Sequence, residues 1–347
     1  MKQTEYIGAG ELSKLAGIVL ELAPKKVFLV TGRRSYEASG AAQKVVEALA
    51  GREVLHYTDF KALPLEEEVQ KGREAYAAFA PDLVIAVGGG HVLDMAKSIN
   101  FLSGKRPLVA IPTTAGTGSE STQFAVVYKN GTKTSLESPE MMPMFAIVDP
   151  NLAMSVSKET ALPSALDALC QAIESFWSNK ATEESRGYAW QALDLIWPNI
   201  IPALEKRDPK AVAALCLGAH LAGKAINISK TTACHAFSYG LTYRFGVPHG
   251  IAVAIFLPDV YAYNSVHDAT VPIFAELNGI MGHSDSIETV EAFVALLKRF
   301  GITHLSRFGV TVSDIPSLTS EVNADRLGNN PRVIREGDII NFFQKII

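Results

Sequence analysis

Along the first 150 positions, short apolar runs alternate with stretches of helical period. "KKVFLVTG" (25–32) is nearly continuous in apolar residues and ends in Thr-Gly, the pattern of a strand buried on both faces. A helix is predicted over 39–51, a strand over 53–60, a helix over 65–79 and a strand over 82–90. The series continues with a helix over 92–102, a strand opening the stretch 107–120, and a last strand within 145–152. Strands that alternate with helices predict an α/β fold, a doubly wound and mostly parallel sheet of Rossmann-like type. From about residue 155 the grammar changes to long amphipathic stretches, 181–205, 209–227 and 287–300, which predict an all-α C-terminal domain. The expected division is therefore 1–154 and 155–347.

Composition narrows the class. At 347 residues the chain can build two cores, and 48% hydrophobic with 20% charged residues describes an ordinary globular protein. A net charge of −4 gives no reason to expect nucleic acid or an anionic membrane as partner. No apolar run is expected to reach the length needed to cross a bilayer, and "MKQTEYIGAGELSKL" lacks a signal-peptide core, so the expected location is the cytoplasm. Three cysteines, Cys170, Cys216 and Cys234, without CxxC spacing argue against a disulfide framework and a structural zinc site.

Three stretches carry candidate chemistry. "VIAVGGGHVLDMAK" puts three glycines between a strand and a helix start, where free N–H groups suit a phosphate; a plain tight turn is the other reading. A second loop, "PTTAGTGSE", follows the next strand, and two such loops at successive strand ends fit an extended nucleotide. After "LVT" come Gly32, Arg33 and Arg34 with no carboxylate, which leans towards NADPH over NADH because arginine accommodates a 2′-phosphate. In "TTACHAFSYGLTYRFGVPHG" (231–250), Gly246 and Pro248 break a helix between His235 and His249 and fold the second histidine back beside the first. The pair reads as a metal or catalytic site, or as two core histidines each satisfied by a carbonyl. Asp167 and Gln171 in "SALDALCQAIESFWS" are i and i+4 and share one helix face.

Together these motifs resemble the iron-containing (group III) alcohol dehydrogenase family over essentially the whole length. The resemblance rests on "GGGHVLDMAK", "IPTTAGTGSE", "KTSLESPEMMPMFAIVDP", "ALDALCQAIES", "HAFSYGLTYRFGVPHG" and "NNPRVIREGDIINFF". It implies the dehydroquinate synthase-like architecture: a dinucleotide-binding α/β domain over 1–154 and a helical metal- and substrate-binding domain over 155–347. It also implies a divalent ion on Asp167, Gln171, His235 and His249, with Fe²⁺ expected first and Zn²⁺ or Mn²⁺ as alternatives. Gln171 replaces the imidazole found there in the family, and an amide oxygen is the weaker donor. The implied chemistry is Lewis-acid activation of a carbonyl for hydride transfer from NAD(P)H, with Tyr239, one turn after His235, as a proton donor or a structural tyrosine. Cofactor contacts implied are Gly89, Gly90 and Asp94 on the first loop, Thr113, Thr114 and Ser119 on the second, Lys133, and His91 where the family has Ser. A homodimer or larger assembly is expected by the same resemblance.

Among family members the chain looks most like the phosphonoacetaldehyde reductase branch. Lys230, with Ser229, Thr231 and Thr232 at an expected helix start, makes a plausible phosphonate cradle, with Lys230 and Tyr239 as substrate residues; simple N-capping is the alternative. A small-alcohol or lactaldehyde-type dehydrogenase is the nearest competing function. A dehydroquinate synthase-like lyase is the competitor from another class and would show no net NAD(P)H turnover.

Overall fold

The apolar runs of the first half become strands: β1 (Thr4–Ile7), β2 (Lys26–Thr31), β3 (Glu53–Tyr57), β4 (Leu83–Gly88), β5 (Leu108–Pro112), β6 (Phe124–Lys129), β7 (Thr132–Glu137) and β8 (Phe145–Val148). This computed structural model describes residues 3–60, 64–129 and 132–347, with the backbone alone at 129, 132 and 133. Six strands form one sheet in the order β1-β8-β5-β4-β2-β3, and every pairing in it is parallel. Period-two alternation divides the strand side chains between two cores. Val27, Leu29, Ile85, Val87 and Ile111 pack on one face with Leu15, Ile18 and Val45. Phe28, Val30, Val84, Ala86 and Ala110 pack on the other with Val92, Ala96 and Ile99. Burial on both faces explains why the central strands read as unbroken apolar runs.

Chain order within the sheet sets the position of the loops. From β2 the chain moves outward to β3, then returns past β2 to β4, so the strand order reverses between β2 and β4. Thr31 pairs with Val87, so Gly32 and Gly88 leave the sheet side by side at this switch point, where α/β sheets bind ligands. The sequence pattern did not reveal β1 or the antiparallel β6–β7 hairpin. β1 is a four-residue edge strand of half-polar sequence, "TEYI", with too few positions to show a period.

By contact the chain divides after Ala161 rather than after residue 154, into Met1–Ala161 with Asn199–Gly223, and Leu162–Pro198 with Lys224–Ile347. Segment 199–223 belongs to the first unit for specific reasons. A Cβ on Gly118 would stand 2.5 Å from the Cα of Gly223, so loop and helix touch backbone to backbone. Ser121 Oγ donates to the His220 carbonyl at 3.0 Å, and Arg207 donates to the carbonyls of Met154 and Val156, each at 2.9 Å.

The second unit is helical. The expected amphipathic stretches are the helices Glu183–Ile201, Pro209–Ser229 and Ser286–Arg299, with Pro209–Ser229 running from one unit into the other. Trp177 stacks on Phe274 at 5.4 Å between centroids, and Tyr261 meets the same ring edge-on at 4.7 Å, anchoring the end of the Lys158–Trp177 helix. Against expectation, Pro209–Ser229 is by length and composition apolar enough to cross a bilayer, with hydropathy 1.5; 61% of the window is buried within the protein, as in a core helix.

Candidate functional site

Three helices of the second unit meet at a cluster of nitrogen and oxygen donors. Asp167 lies on Lys158–Trp177, His235 on Ala233–Phe245 and His249 at the start of His249–Ala254. The bend between the histidines is the one their sequence demands: Gly246 takes φ 66° as C-cap, and Pro248 opens the next helix. Gly250 then lies so close to the Asp167 helix that a Cβ there would stand 1.8 Å from the Pro163 carbonyl oxygen. As a result the two imidazole centroids are 5.6 Å apart. His235 Nε2 lies 3.3 Å and His249 Nε2 3.9 Å from Asp167 Oδ1. The three donors lie within 4.8 Å of one another. Donors around one ion at bond lengths of about 2.1 Å stand about 3–3.5 Å apart, so the set fits a divalent first-row metal with small adjustments. Asp167 and His235 are buried and His249 is partly exposed; Gln171, also buried, is one turn beyond Asp167 on the same helix face.

A fourth group orders this cluster and escaped the sequence reading. Glu174, fully buried, pairs with His235 Nδ1 through one carboxylate oxygen. Its other oxygen accepts from the Thr232 hydroxyl at 2.6 Å and from the Cys234 N–H at 2.8 Å, and Thr232 accepts from Trp177 Nε1 at 2.8 Å. Burial alone would depress the His235 imidazole, but the carboxylates of Glu174 and Asp167 outweigh it and push its pKa up to about 9. The only advance signal was the spacing, since Asp167, Gln171 and Glu174 are i, i+4 and i+7. Burial first and the nearby carboxylates second push the Cys170 and Cys234 thiols up.

Tyr239 stands beside this cluster, its ring 6.4 Å from that of His249. Lys230 does not begin a helix as expected: it follows the last residue of Pro209–Ser229, with φ 62°, its N–H bonded to the Ile226 carbonyl. The hydroxyls grouped with it in the sequence face the protein. Ser229 Oγ pairs with Ser175 Oγ at 2.7 Å, and Thr232 is committed to Glu174.

In the first unit the expected nucleotide loops gather at the carboxyl ends of β2, β4 and β5. The helix Gly90–Ser103 begins with no side-chain cap, leaving its N-terminus to an outside acceptor. A Cβ at Gly90 would stand 2.4 Å from Thr117 and one at Gly88 2.6 Å from Val92, while at Gly89 nothing comes nearer than 3.6 Å. Thr113, at the end of β5, is buried with no hydrogen-bond partner for Oγ1 among the described residues, and Thr114 beside it is half-buried. An orphaned hydroxyl and a glycine cradle at a switch point fit a dinucleotide.

Asp94 and Ser119 serve each other. Ser119 Oγ donates to Asp94 Oδ1 at 2.5 Å, and the Val126 N–H donates to Oδ2 at 3.1 Å, tying the two loops together. Lys97, which the sequence reading passed over, is buried beneath them. It donates to Ser119 and Thr122 carbonyls at 2.9 and 2.7 Å, and burial draws its pKa down to about 8 against the pull of Asp94 and Glu120. His91 is exposed, its ring 6.5 Å from Phe60. The side chain of Lys133 lies outside the described residues; its backbone pairs with Tyr128 in the hairpin. One expectation needs correction: a carboxylate does accompany Arg33. Its guanidinium bonds the Asp59 carboxylate at 2.8 Å and the Thr58 carbonyl at 3.2 Å, because parallel β2 and β3 end side by side.

Known proteins share the sequence pattern and the fold of this chain. The family model described as iron-containing alcohol dehydrogenase matches residues 3–150, and its C-terminal counterpart matches 161–347. An alcohol dehydrogenase of Thermococcus barophilus is 30% identical over 88% of this chain and 86% of its own. A phosphonoacetaldehyde reductase of Streptomyces viridochromogenes is 34% identical over 54% of each chain. The crystal structure of sulfoacetaldehyde reductase from Bifidobacterium kashiwanohense with NAD+ superposes with a TM-score of 0.90, at 29% identity, over 99% of this chain and 96% of that one. The chain belongs to the iron-containing alcohol dehydrogenase family. It is an NAD(P)-dependent oxidoreductase that acts on an alcohol or the corresponding aldehyde with a metal ion and a nicotinamide cofactor.

Proposed function

We propose that this enzyme reduces phosphonoacetaldehyde to 2-hydroxyethylphosphonate with NADPH, using a divalent ion on Asp167, His235, His249 and Gln171. The observation that carries the metal reading is the convergence of Asp167, His235 and His249 within 4.8 Å. When bound, the ion supplies Lewis acidity at the carbonyl oxygen and the reduced nicotinamide supplies the hydride. The protein supplies position and a proton. Gly89, Gly90, Thr113 and Thr114 hold the dinucleotide at the strand ends, with Asp94 and Ser119 fixing the loops. Tyr239, next to His249, delivers a proton to the oxygen as hydride reaches carbon, directly or through one water. NADPH is taken as the donor because exposed Arg33 can meet a 2′-phosphate; its ion pair with Asp59 makes NADH the alternative.

An anionic substrate is supported by the names of two relatives, one acting on phosphonoacetaldehyde and one on sulfoacetaldehyde. Lys230 is the cation proposed to meet the anion. The test compares NADPH oxidation by metal-loaded enzyme with phosphonoacetaldehyde and with propionaldehyde at equal concentration. A preference of about a hundredfold, near 2.7 kcal/mol of differential transition-state binding, is expected. Lys230→Ala should lower it by raising KM for the anionic aldehyde alone. Equal rates on both aldehydes would replace the proposal with a reductase of broad small aldehydes.

A further inference from the structure

We infer that Glu174 is a positioning residue that fixes the tautomer of His235, and so decides which nitrogen of that ring faces a metal ion. The inference rests on the proposed reading of Asp167, His235 and His249 as a metal site. Two of the three groups that meet Glu174 have a settled hydrogen-bonding sense. The Cys234 N–H, 2.8 Å from Glu174 Oε1, can only donate, so the Oε1 position must be held by an acceptor. Thr232 Oγ1 receives the Trp177 indole N–H at 2.8 Å and turns its own proton to the same oxygen at 2.6 Å. The remaining oxygen, Oε2, faces His235 Nδ1. With Oε1 taken up by two donors, Oε2 is the oxygen left to accept from the ring, so Nδ1 carries the hydrogen. In the neutral ring that leaves the lone pair on Nε2, the nitrogen 3.3 Å from Asp167 Oδ1.

This arrangement predicts that glutamine is a worse replacement than alanine. In Glu174→Gln the amide oxygen is forced into the Oε1 place by the Cys234 N–H, which turns the NH₂ towards Nδ1. The ring must then accept at Nδ1 and carry its proton on Nε2, where a metal would bind. Glu174→Ala imposes no tautomer, so Nε2 stays available. If Glu174 contributed only its charge, both variants would lose equally. If it contributed only packing, alanine would lose more.

The experiment measures the Zn²⁺ dissociation constant by chelator competition, and the Co²⁺ absorption spectrum, for the wild type, Glu174→Gln, Glu174→Ala and His249→Ala. Glu174→Gln is expected to weaken Zn²⁺ binding by about 10- to 100-fold, and Glu174→Ala by clearly less. Equal losses, or a greater loss in alanine, overturn the inference. Metal affinity unchanged in His249→Ala would overturn the underlying metal reading instead. A second measurement needs no variant: long-range ¹H–¹⁵N correlations of the Zn²⁺-loaded wild type should show the His235 proton on Nδ1, and a proton on Nε2 overturns the inference.

Discussion

Replacing Gly250 with alanine should open the metal centre without altering any donor atom. A Cβ at this position falls 1.8 Å from the Pro163 carbonyl oxygen and 3.0 Å from the Asp167 backbone nitrogen. Real Cβ atoms essentially never approach closer than 3.0 Å, so the helix beginning at His249 must retreat by at least 3.0 − 1.8 = 1.2 Å. The obstacle is helix backbone, which cannot swing aside as a side-chain tip would. His249 immediately precedes Gly250, and its Nε2 is 3.9 Å from Asp167 Oδ1, so the retreat separates donors that must share one ion. Metal–ligand distances tolerate about 0.2 Å. Overpacking of this kind also costs about 1–3 kcal/mol of stability. The expected result is a Zn²⁺ dissociation constant at least tenfold higher, about 1.4 kcal/mol, with turnover falling in parallel and a folded far-ultraviolet spectrum. Affinity and turnover both within threefold of the wild type would refute the claim that this close approach sets the donor spacing.

Stability should fall at high pH through His220, which is buried between Glu120 at 3.1 Å and Glu5 at 3.6 Å. Burial works against the imidazolium, but the two glutamates prevail and raise its pKa from 6.5 to about 9. A raised value means that its stabilisation, about 3 kcal/mol, is complete below pH 6.5 and lost as pH rises through about 9. Denaturant titrations should show the gap between the wild type and His220→Asn closing over that window, and a constant gap would refute it. Thr113→Val should raise KM for the dinucleotide roughly tenfold if the orphaned hydroxyl bonds the cofactor. An unchanged KM with a more stable protein would show that it does not. Gln171→His should tighten metal binding in chelator competition, because imidazole is the stronger donor. Unchanged affinity would place Gln171 outside the ligand set.

Features governed by near neighbours in the chain were open to reading from the sequence. The strands β2, β4 and β5 announced themselves because burial on both faces leaves almost only apolar residues. The return of His249 beside His235 was equally local, since Gly246 supplies a left-handed turn and Pro248 a helix start within the same twenty residues. That Asp167 and Gln171 share a helix face followed from their spacing, while their place in a metal set came from the family resemblance. Tertiary structure decided which distant groups these residues meet. Glu174 reaches His235 across 61 positions, Asp59 neutralises Arg33 across 26, and Lys97 is buried under loops up to 27 residues away. Segment 199–223 likewise joins the first unit through Gly223 and His220, although its own pattern is only that of an amphipathic helix. Periodicity records whether a residue is turned inward. The partner waiting there comes from whichever segment the fold packs opposite, and a single sequence carries no mark of that pairing.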